Sequence, residues 1–351
     1  MGIDAYHGYV TPVLLFFLLF GMSGTVEVES VKTKIRSKKA LVSGILMQFV
    51  IMPFTGFIAV ISLTPSGTFT EAMGLSLLIV TTSPGGSLSN WIASLFNADL
   101  TLSVTMTSIN TLLSSFLLPI NLLLYTHLSY GVAGGESGSN VINNLEWGGL
   151  FISIGVVVSG ILAGLAASYK FGSPKFHRRS NKFGSAMGTI LCTYSLMISS
   201  GSDSAWYAQS WQFYVGMTLP PALGLGLANV IGCILKLESP ERVTISIECS
   251  IQNVAIAATA SLNMFDDQID RDQALAVAIA YGIISMFLAV CYSFVSWKVG
   301  WTKAPADENF CVILTKTYEV DDDMEKQHAS ESTGGDECFD HLEENLTTAD
   351  K

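Results

Sequence analysis

Two stretches of this 351-residue chain carry residue types that an apolar helix would not ordinarily keep. The first to consider is Ile247-Glu248-Cys249-Ser250-Ile251-Gln252-Asn253, which gathers a carboxylate and two side-chain amides; Glu248 is the only charged residue between Arg242 and Asp266. An ionised carboxylate at bilayer depth is costly and normally has a partner. No Lys or Arg lies within the apolar interior of any of the chain's long hydrophobic stretches. A monovalent cation would supply the missing charge, because hard cations take carboxylate, amide and freed backbone oxygens as ligands. Two other readings stand beside this one: a protonated Glu248, or a Glu248 near a helix end in water. The other stretch is Thr82-Ser83-Pro84-Gly85-Gly86-Ser87-Leu88-Ser89-Asn90. Pro84 removes a backbone donor and clashes with the preceding turn, and Gly85 and Gly86 favour unwinding. Unwound backbone within a membrane is tolerated where it is buried in protein or lines a cavity. A kinked helix, or a turn between two short helices, would give the same sequence.

Further oxygens lie nearby in the chain. Gln48 precedes Met52-Pro53, and the segment Ser103, Thr105, Thr107, Ser108, Asn110, Thr111 is rich in small polar groups. Ser103 and Thr107 are four apart and share one helix face. Each hydroxyl taken singly is also explained by helix packing and bonds to backbone.

The elements that must position these groups are membrane-spanning helices. Half of the chain is hydrophobic and only 13% is Asp, Glu, Lys or Arg, against about 25% in a soluble domain. A spanning helix needs about 20 mainly apolar residues. The candidates are 9–26, 40–64, 71–95, 100–127, 148–169, 183–200, 208–236, 240–263 and 273–300. An all-α polytopic membrane protein of about nine transmembrane helices is therefore expected. The two interrupted segments fall in the third and eighth spans, flanking the middle of the chain. Interrupted helices in corresponding halves point to a transporter site at the midplane, and a tenth helix at the front would complete two five-span halves. Lys32, Lys34, Arg36, Lys38 and Lys39 follow span 1, and Lys170, Lys175, Arg178, Arg179 and Lys182 are placed in a loop between spans 5 and 6. The positive-inside bias makes both loops cytoplasmic. The opposite loops hold Glu71, Glu136, Glu146, Asp203, Asp266, Asp267, Asp270 and Asp272 with Arg271 the only base. The N-terminus is then extracellular and the C-terminus cytoplasmic.

The formal charge of −11 is carried by the tail: from Asp307 onward there are 14 acids and 3 bases, whereas residues 1–306 hold 15 of each. The acidic formal charge therefore says nothing about a partner for residues 1–306, and no nucleic-acid partner is expected. Residues 301–351 lack periodicity and read as disordered, with 307–351 an acidic cytoplasmic tail following a transmembrane domain at 1–306. The sequon Asn345-Leu346-Thr347 falls there and is not expected to be used. The six cysteines lie in apolar segments or the tail, so free thiols are expected. The first apolar run lacks a basic n-region and a small-residue cleavage site, and reads as a retained helix.

These residues carry a resemblance. Ser83-Pro84-Gly85-Gly86 with Ser89-Asn90 resembles the Cys-Pro-Gly-Gly-x-x-Ser-Asn segment of the sodium/bile acid cotransporter family, and Glu248-Cys249-Ser250-Ile251-Gln252-Asn253 its Glu-x-Gly-x-Gln-Asn segment. The similarity continues through Gln48-Phe49-Val50-Ile51-Met52-Pro53-Phe54-Thr55-Gly56-Phe57, Asp99 to Thr107, and Glu27-Val28, covering roughly residues 9–300. The form most resembles the animal ileal and hepatic type. The resemblance implies a panel domain (about 9–26 and 148–200), a core domain (about 40–127 and 208–300), two broken crossing helices and an inverted repeat. It implies one sodium held by Ser89, Asn90, Ser103, Thr107 and Glu248. A second sodium would be held by Gln48, Glu248, Gln252 and the carbonyls of Cys249 and Ile251. Asn253, with Asn90 and Gln252, would face the substrate. Ser83 and Leu88 stand where many relatives have Cys and Ala, and Cys249-Ser250 replaces a Thr-Gly pair; ligands supplied by backbone carbonyls survive such changes.

The implied function is a plasma-membrane, sodium-coupled symporter of bile-acid-like organic anions working by alternating access, with two Na+ as coupling ions and no cofactor. The small-molecule partner would be a bile acid or steroid conjugate. A steroid sulfate or vitamin-like carboxylate, or a non-transporting receptor on the same fold, are the other readings. No enzyme is expected: no span interior holds even one Asp for an aspartyl protease, and His-Glu-x-x-His is absent.

Overall fold

A computed structural model describes residues 4–25, 37–132, 147–200, 206–265, 267–314 and 318. Helices dominate them, and among the described residues the single β-type pairing is one isolated bridge, Gly85 with Gln252. In chain order the helices are α1 (Asp4–Ser23), α2 (Lys38–Leu46), α3 (Met52–Leu63), α4 (Glu71–Thr82), α5 (Ser87–Leu95), α6 (Leu100–Thr126), α7 (Trp147–Phe171), α8 (Pro174–Ser200), α9 (Trp211–Ile234), α10 (Ser239–Ser250), α11 (Val254–Met264), α12 (Gln268–Lys298) and the single turn α13 (Phe310–Ile313). A π-turn, Met47–Ile51, joins α2 to α3 without a break. Among the described residues four helical stretches are long and apolar enough to cross a membrane: Lys38–Ser66, Leu100–Gly131, Trp211–Ile234 and Gln268–Lys298; shorter apolar helices accompany them.

Side-chain caps set several helix starts. Ser37 accepts from Ala40 N, Thr70 from Met73 N, Asp99 from Leu102 N, Ser210 from Phe213 N, and Asp267 from Ile269 N and Asp270 N. Each satisfies backbone donors that the first turn leaves free. Residues 170–182, expected as a loop, are instead almost wholly helical: α8 starts at Pro174, and only 172–173 lie between α7 and α8. Ser173 receives Phe176 N on its hydroxyl, and proline at the first helical position is pre-organised for a helix. Lys175, Arg178, Arg179 and Lys182 thus ride on the first three turns of α8.

α1 packs most extensively on α7 and α8. Small residues allow the close approach: a Cβ at Gly184 would lie 3.0 Å from the backbone of Gly21 and Met22. A second assembly packs α4 on α12, α9 on α10 and α12, and α3 on α4 and α9. Hydroxyls stitch it together, with the buried Ser76 Oγ donating to Ala274 O at 2.6 Å and the half-buried Thr70 Oγ1 to Gln273 Oε1 at 2.7 Å. The assemblies meet chiefly where α1 and α7 contact α11. Asn263 Nδ2 donates to Thr11 Oγ1 at 3.2 Å, and Asn253 Nδ2 lies 3.9 Å from Met22 Sδ.

The expectation of disorder from residue 301 onward is corrected for 301–314 and Tyr318. Lys303 N donates to Asn97 O at 2.8 Å, Asn97 Nδ2 to Ile313 O at 3.0 Å, and Tyr318 N to Asn97 Oδ1 at 2.9 Å. Ala304 and Ile313 are buried against Phe96, Val243 and Trp297. A few apolar anchors spaced without helical or strand period suffice to dock a short irregular segment, which periodicity cannot reveal. Most of the acidic tail, with its sequon, lies outside the described residues. Of the cysteines, Cys233, Cys249 and Cys291 are free thiols.

Candidate functional site

The two interruptions face one another. At the first, Ser83 has φ −68 and ψ 153, extended backbone that ends α4; the residue before a proline is driven out of the helical region. At the second, Ile251 has φ −97 and ψ 108 and Asn253 has φ −78 and ψ 82, ending α10 and starting α11. Asn253 N donates to Pro84 O at 2.9 Å, and Gly85 bridges to Gln252. The C-terminal ends of α4 and α10 and the N-terminal ends of α5 and α11 therefore converge, bringing freed carbonyls and amides to one place.

Gly85 leaves room at the contact. A Cβ on Gly85 would lie 2.9 Å from Glu248 Oε2, 3.4 Å from Glu248 O and 3.7 Å from Ile251 O. Three oxygens thus crowd a point that any side chain would fill.

Glu248 is fully buried, and its carboxylate is met by hydroxyls. Ser103 Oγ lies 2.5 Å from Glu248 Oε1 and 2.7 Å from Asn90 Oδ1. Thr107 Oγ1 lies 3.0 and 3.2 Å from the two carboxylate oxygens and 3.1 Å from Asn90 Oδ1. Each hydroxyl has a single proton, so two protons serve three acceptor oxygens that lie within reach of both or one of them. The Ser89 hydroxyl, also buried, donates to Gly86 O at 2.6 Å and borders the same carboxylate. The excess of lone pairs over protons suits a cation. The residues expected around a first sodium, Ser89, Asn90, Ser103, Thr107 and Glu248, are brought together.

Of the second expected set, Gln48, Gln252 and the Cys249 carbonyl are linked to one another. Gln48 Nε2 donates to Gln252 Oε1 at 2.6 Å and to Ser83 O at 2.8 Å, and Gln252 Nε2 donates to Cys249 O at 2.7 Å. Gln48 Oε1 is buried without a partner among the described residues. An orphaned buried amide oxygen matches the ligand chemistry of a sodium ion. Asn253 is buried at the crossing, and Asn90 is half-buried.

Other groups act here without having been singled out in the sequence. Pro53 cannot donate to Phe49 O, and that carbonyl is taken by Asn121 Nδ2 at 2.9 Å. The π-turn holding Gln48 sits on this defect, as such bulges often do at functional sites. Tyr281 OH donates to Ser250 O at 3.4 Å, satisfying a carbonyl at the end of α10. The proline at i+4 from Phe49 was a legible signal for the first; nothing local marks Tyr281.

Comparison with known proteins agrees with this geometry. The model of the Sodium Bile acid symporter family matches residues 12–205, a span that holds Gln48, Ser89, Asn90, Ser103 and Thr107, with Glu248 beyond it. The human (Homo sapiens) ileal sodium/bile acid cotransporter is 30% identical over 251 residues, 71% of this chain and 68% of the relative. The ileal sodium/bile acid cotransporter of Cricetulus griseus is 27% identical over 292 residues, 82% of this chain and 79% of that one. The human hepatic sodium/bile acid cotransporter is 26% identical over 249 residues, covering 70% and 67%. With an oxygen-lined carboxylate at two meeting helix breaks and a family match over more than half its length, the chain belongs to the sodium bile acid symporter family, whose members are transporters rather than enzymes.

Proposed function

We propose that the protein is a plasma-membrane symporter that couples two sodium ions to the uptake of one bile-acid-like organic anion. The observation that carries this reading is Glu248: a buried carboxylate, surrounded by oxygens, at the junction of two broken helices. One sodium is held by Ser89, Asn90, Ser103, Thr107 and Glu248. The other is held by Gln48, Glu248, Gln252 and the carbonyls of Cys249 and Ile251. One carboxylate with two sodium ions leaves a net positive charge that an organic anion completes, aided by the N-terminal ends of α5 and α11. Asn253, Asn90 and Gln252 present polar groups to that anion.

The chain crosses the bilayer nine times, with the N-terminus outside and the C-terminus inside, in the order given by its Lys/Arg bias. α1, α7 and α8 form a panel, and the remaining membrane helices a core built on an inverted repeat. Loading favours a rocking of panel against core, for which the Asn263–Thr11 and Asn253–Met22 contacts are the side-chain seams that rearrange. The membrane potential contributes about 2.3 kcal/mol per net charge per 100 mV.

The test is uptake of labelled taurocholate, with and without sodium, in cells expressing the full chain. Sodium-dependent uptake with an inward current is expected. Electroneutral uptake contradicts the stoichiometry. Sodium-dependent uptake of a steroid sulfate or vitamin-like carboxylate but not of taurocholate reassigns the substrate alone.

A further inference from the structure

Asn110 lies on α6, three residues after Thr107 and seven after Ser103, and so on the face that meets Glu248. It is fully buried, and neither Nδ2 nor Oδ1 has a partner among the described residues. Its neighbours along the helix behave differently. Thr105, Ser108 and Ser114 each donate to a carbonyl of their own helix, at 2.8, 2.8 and 2.7 Å. Such hydroxyls are spent on packing. Asn110, with two donors and an acceptor oxygen, is not, and an amide left unmet in a dry interior is strongly unfavourable. Buried polar residues continue beyond it with Thr111, Ser114 and Ser115, the last also with an unpartnered oxygen. Leu118 and Leu122, further along the helix, are buried apolar residues. The face thus carries polar side chains at Ser103, Thr107, Asn110 and Ser114 and meets the Glu248 oxygens at its Ser103–Thr107 end. Side chains three apart on a helix have Cβ atoms about 5–6 Å apart, a single ion step from Thr107.

We propose that Asn110 is a cation station on the route to Glu248, its Oδ1 holding a partly hydrated sodium ion about one helical turn along α6 from Thr107 while Nδ2 orients the ion's water. The inference rests on sodium binding at Glu248. It makes Asn110 a determinant of sodium affinity and entry, with no part in holding the organic anion.

The experiment uses the full chain, reconstituted into lipid vesicles, with sodium chloride titrated against uptake and against intrinsic tryptophan fluorescence in the absence of substrate. Asn110→Leu, close in shape and without ligand atoms, is expected to raise the half-saturating sodium concentration roughly tenfold with the half-saturating substrate concentration unchanged. Asn110→Asp is expected to lower the half-saturating sodium concentration, a direction that a packing role cannot produce. Unaltered sodium dependence in Asn110→Leu overturns the proposal. If that variant fails to reach the membrane, Asn110→Asp decides: an unchanged or raised sodium requirement overturns it equally. Glu248→Gln separates the two levels. Sodium-dependent fluorescence that persists in Glu248→Gln removes the underlying sodium reading, whereas its loss there, with Asn110→Leu indistinguishable from the parent, removes the station alone.

Discussion

The two helix breaks at the centre of this protein reach the same geometry by different routes. The first is written locally: Pro84 bars the helix, Ser83 is pushed to extended backbone before it, and Gly85 leaves room for three oxygens. The second has no proline or glycine between Ser250 and Asn253. Its backbone departs from the helix where Asn253 N finds Pro84 O and Gln252 pairs with Gly85. The first break therefore serves as the template for the second. A residue stretch without helix-breaking chemistry can be held open inside a membrane when another element supplies partners for its backbone groups.

Glu248→Gln gives the largest expected effect, because it removes the charge that both proposed sodium sites share. Breaking a buried charge network costs about 3 kcal/mol, roughly a hundredfold, so sodium-dependent uptake should fall to background while surface biotinylation shows normal delivery. Normal uptake by this variant would sever Glu248 from transport. Replacement of Pro84, Gly85 and Gly86 together by alanine attacks the template. Overpacking Gly85 alone should cost about 1–3 kcal/mol, and with the break healed the second opening loses its partners too. Uptake is expected to drop by more than about tenfold; the comparison fails if the triple variant transports normally.

Smaller changes sharpen the contrast. Gln252→Leu deletes the amide that joins Gln48 to Cys249 O. A few-fold rise in half-saturating sodium and a Hill coefficient moving from about two toward one are expected, at about 1 kcal/mol for the bonds lost; an unchanged sodium curve would remove the second set of ligands. Pro84→Ala alone should lower uptake by no more than about threefold, since Pro84 O persists as a backbone acceptor and both glycines remain. A loss as deep as that of the triple variant would make the proline ring itself the template. Tyr281→Phe tests the weakest support, a 3.4 Å bond to Ser250 O, and should change uptake by less than about twofold. A larger loss would show the second break to depend on α12 as much as on α4 and α5.

The C-terminal segment offers a parallel lesson. Asn97, with φ 53, stands in the left-handed region just after α5, and its side chain and backbone bind Ile313, Tyr318 and Lys303. This ties the chain that follows α12 to the far end of the helix that begins at the first break. Neither hydropathy nor charge in residues 301–314 announces that contact.

By itself the sequence determined where apolar helices run, that Pro84-Gly85-Gly86 interrupts one of them, and that Glu248 has no basic partner within the apolar stretches. These are local facts, set by hydrophobic length, backbone sterics and the cost of an unpaired charge. The Ser173-Pro174 start of α8 was equally local, a cap followed by a first-turn proline. Only the tertiary structure decided which partners hold the second break open, the pairing of Gln48 with Gln252 across 204 residues, the capture of Phe49 O by Asn121, and the docking of residues 301–314. Each of these depends on a hydrogen bond or an apolar anchor supplied from far along the chain, and a short window of residues contains no trace of its partner.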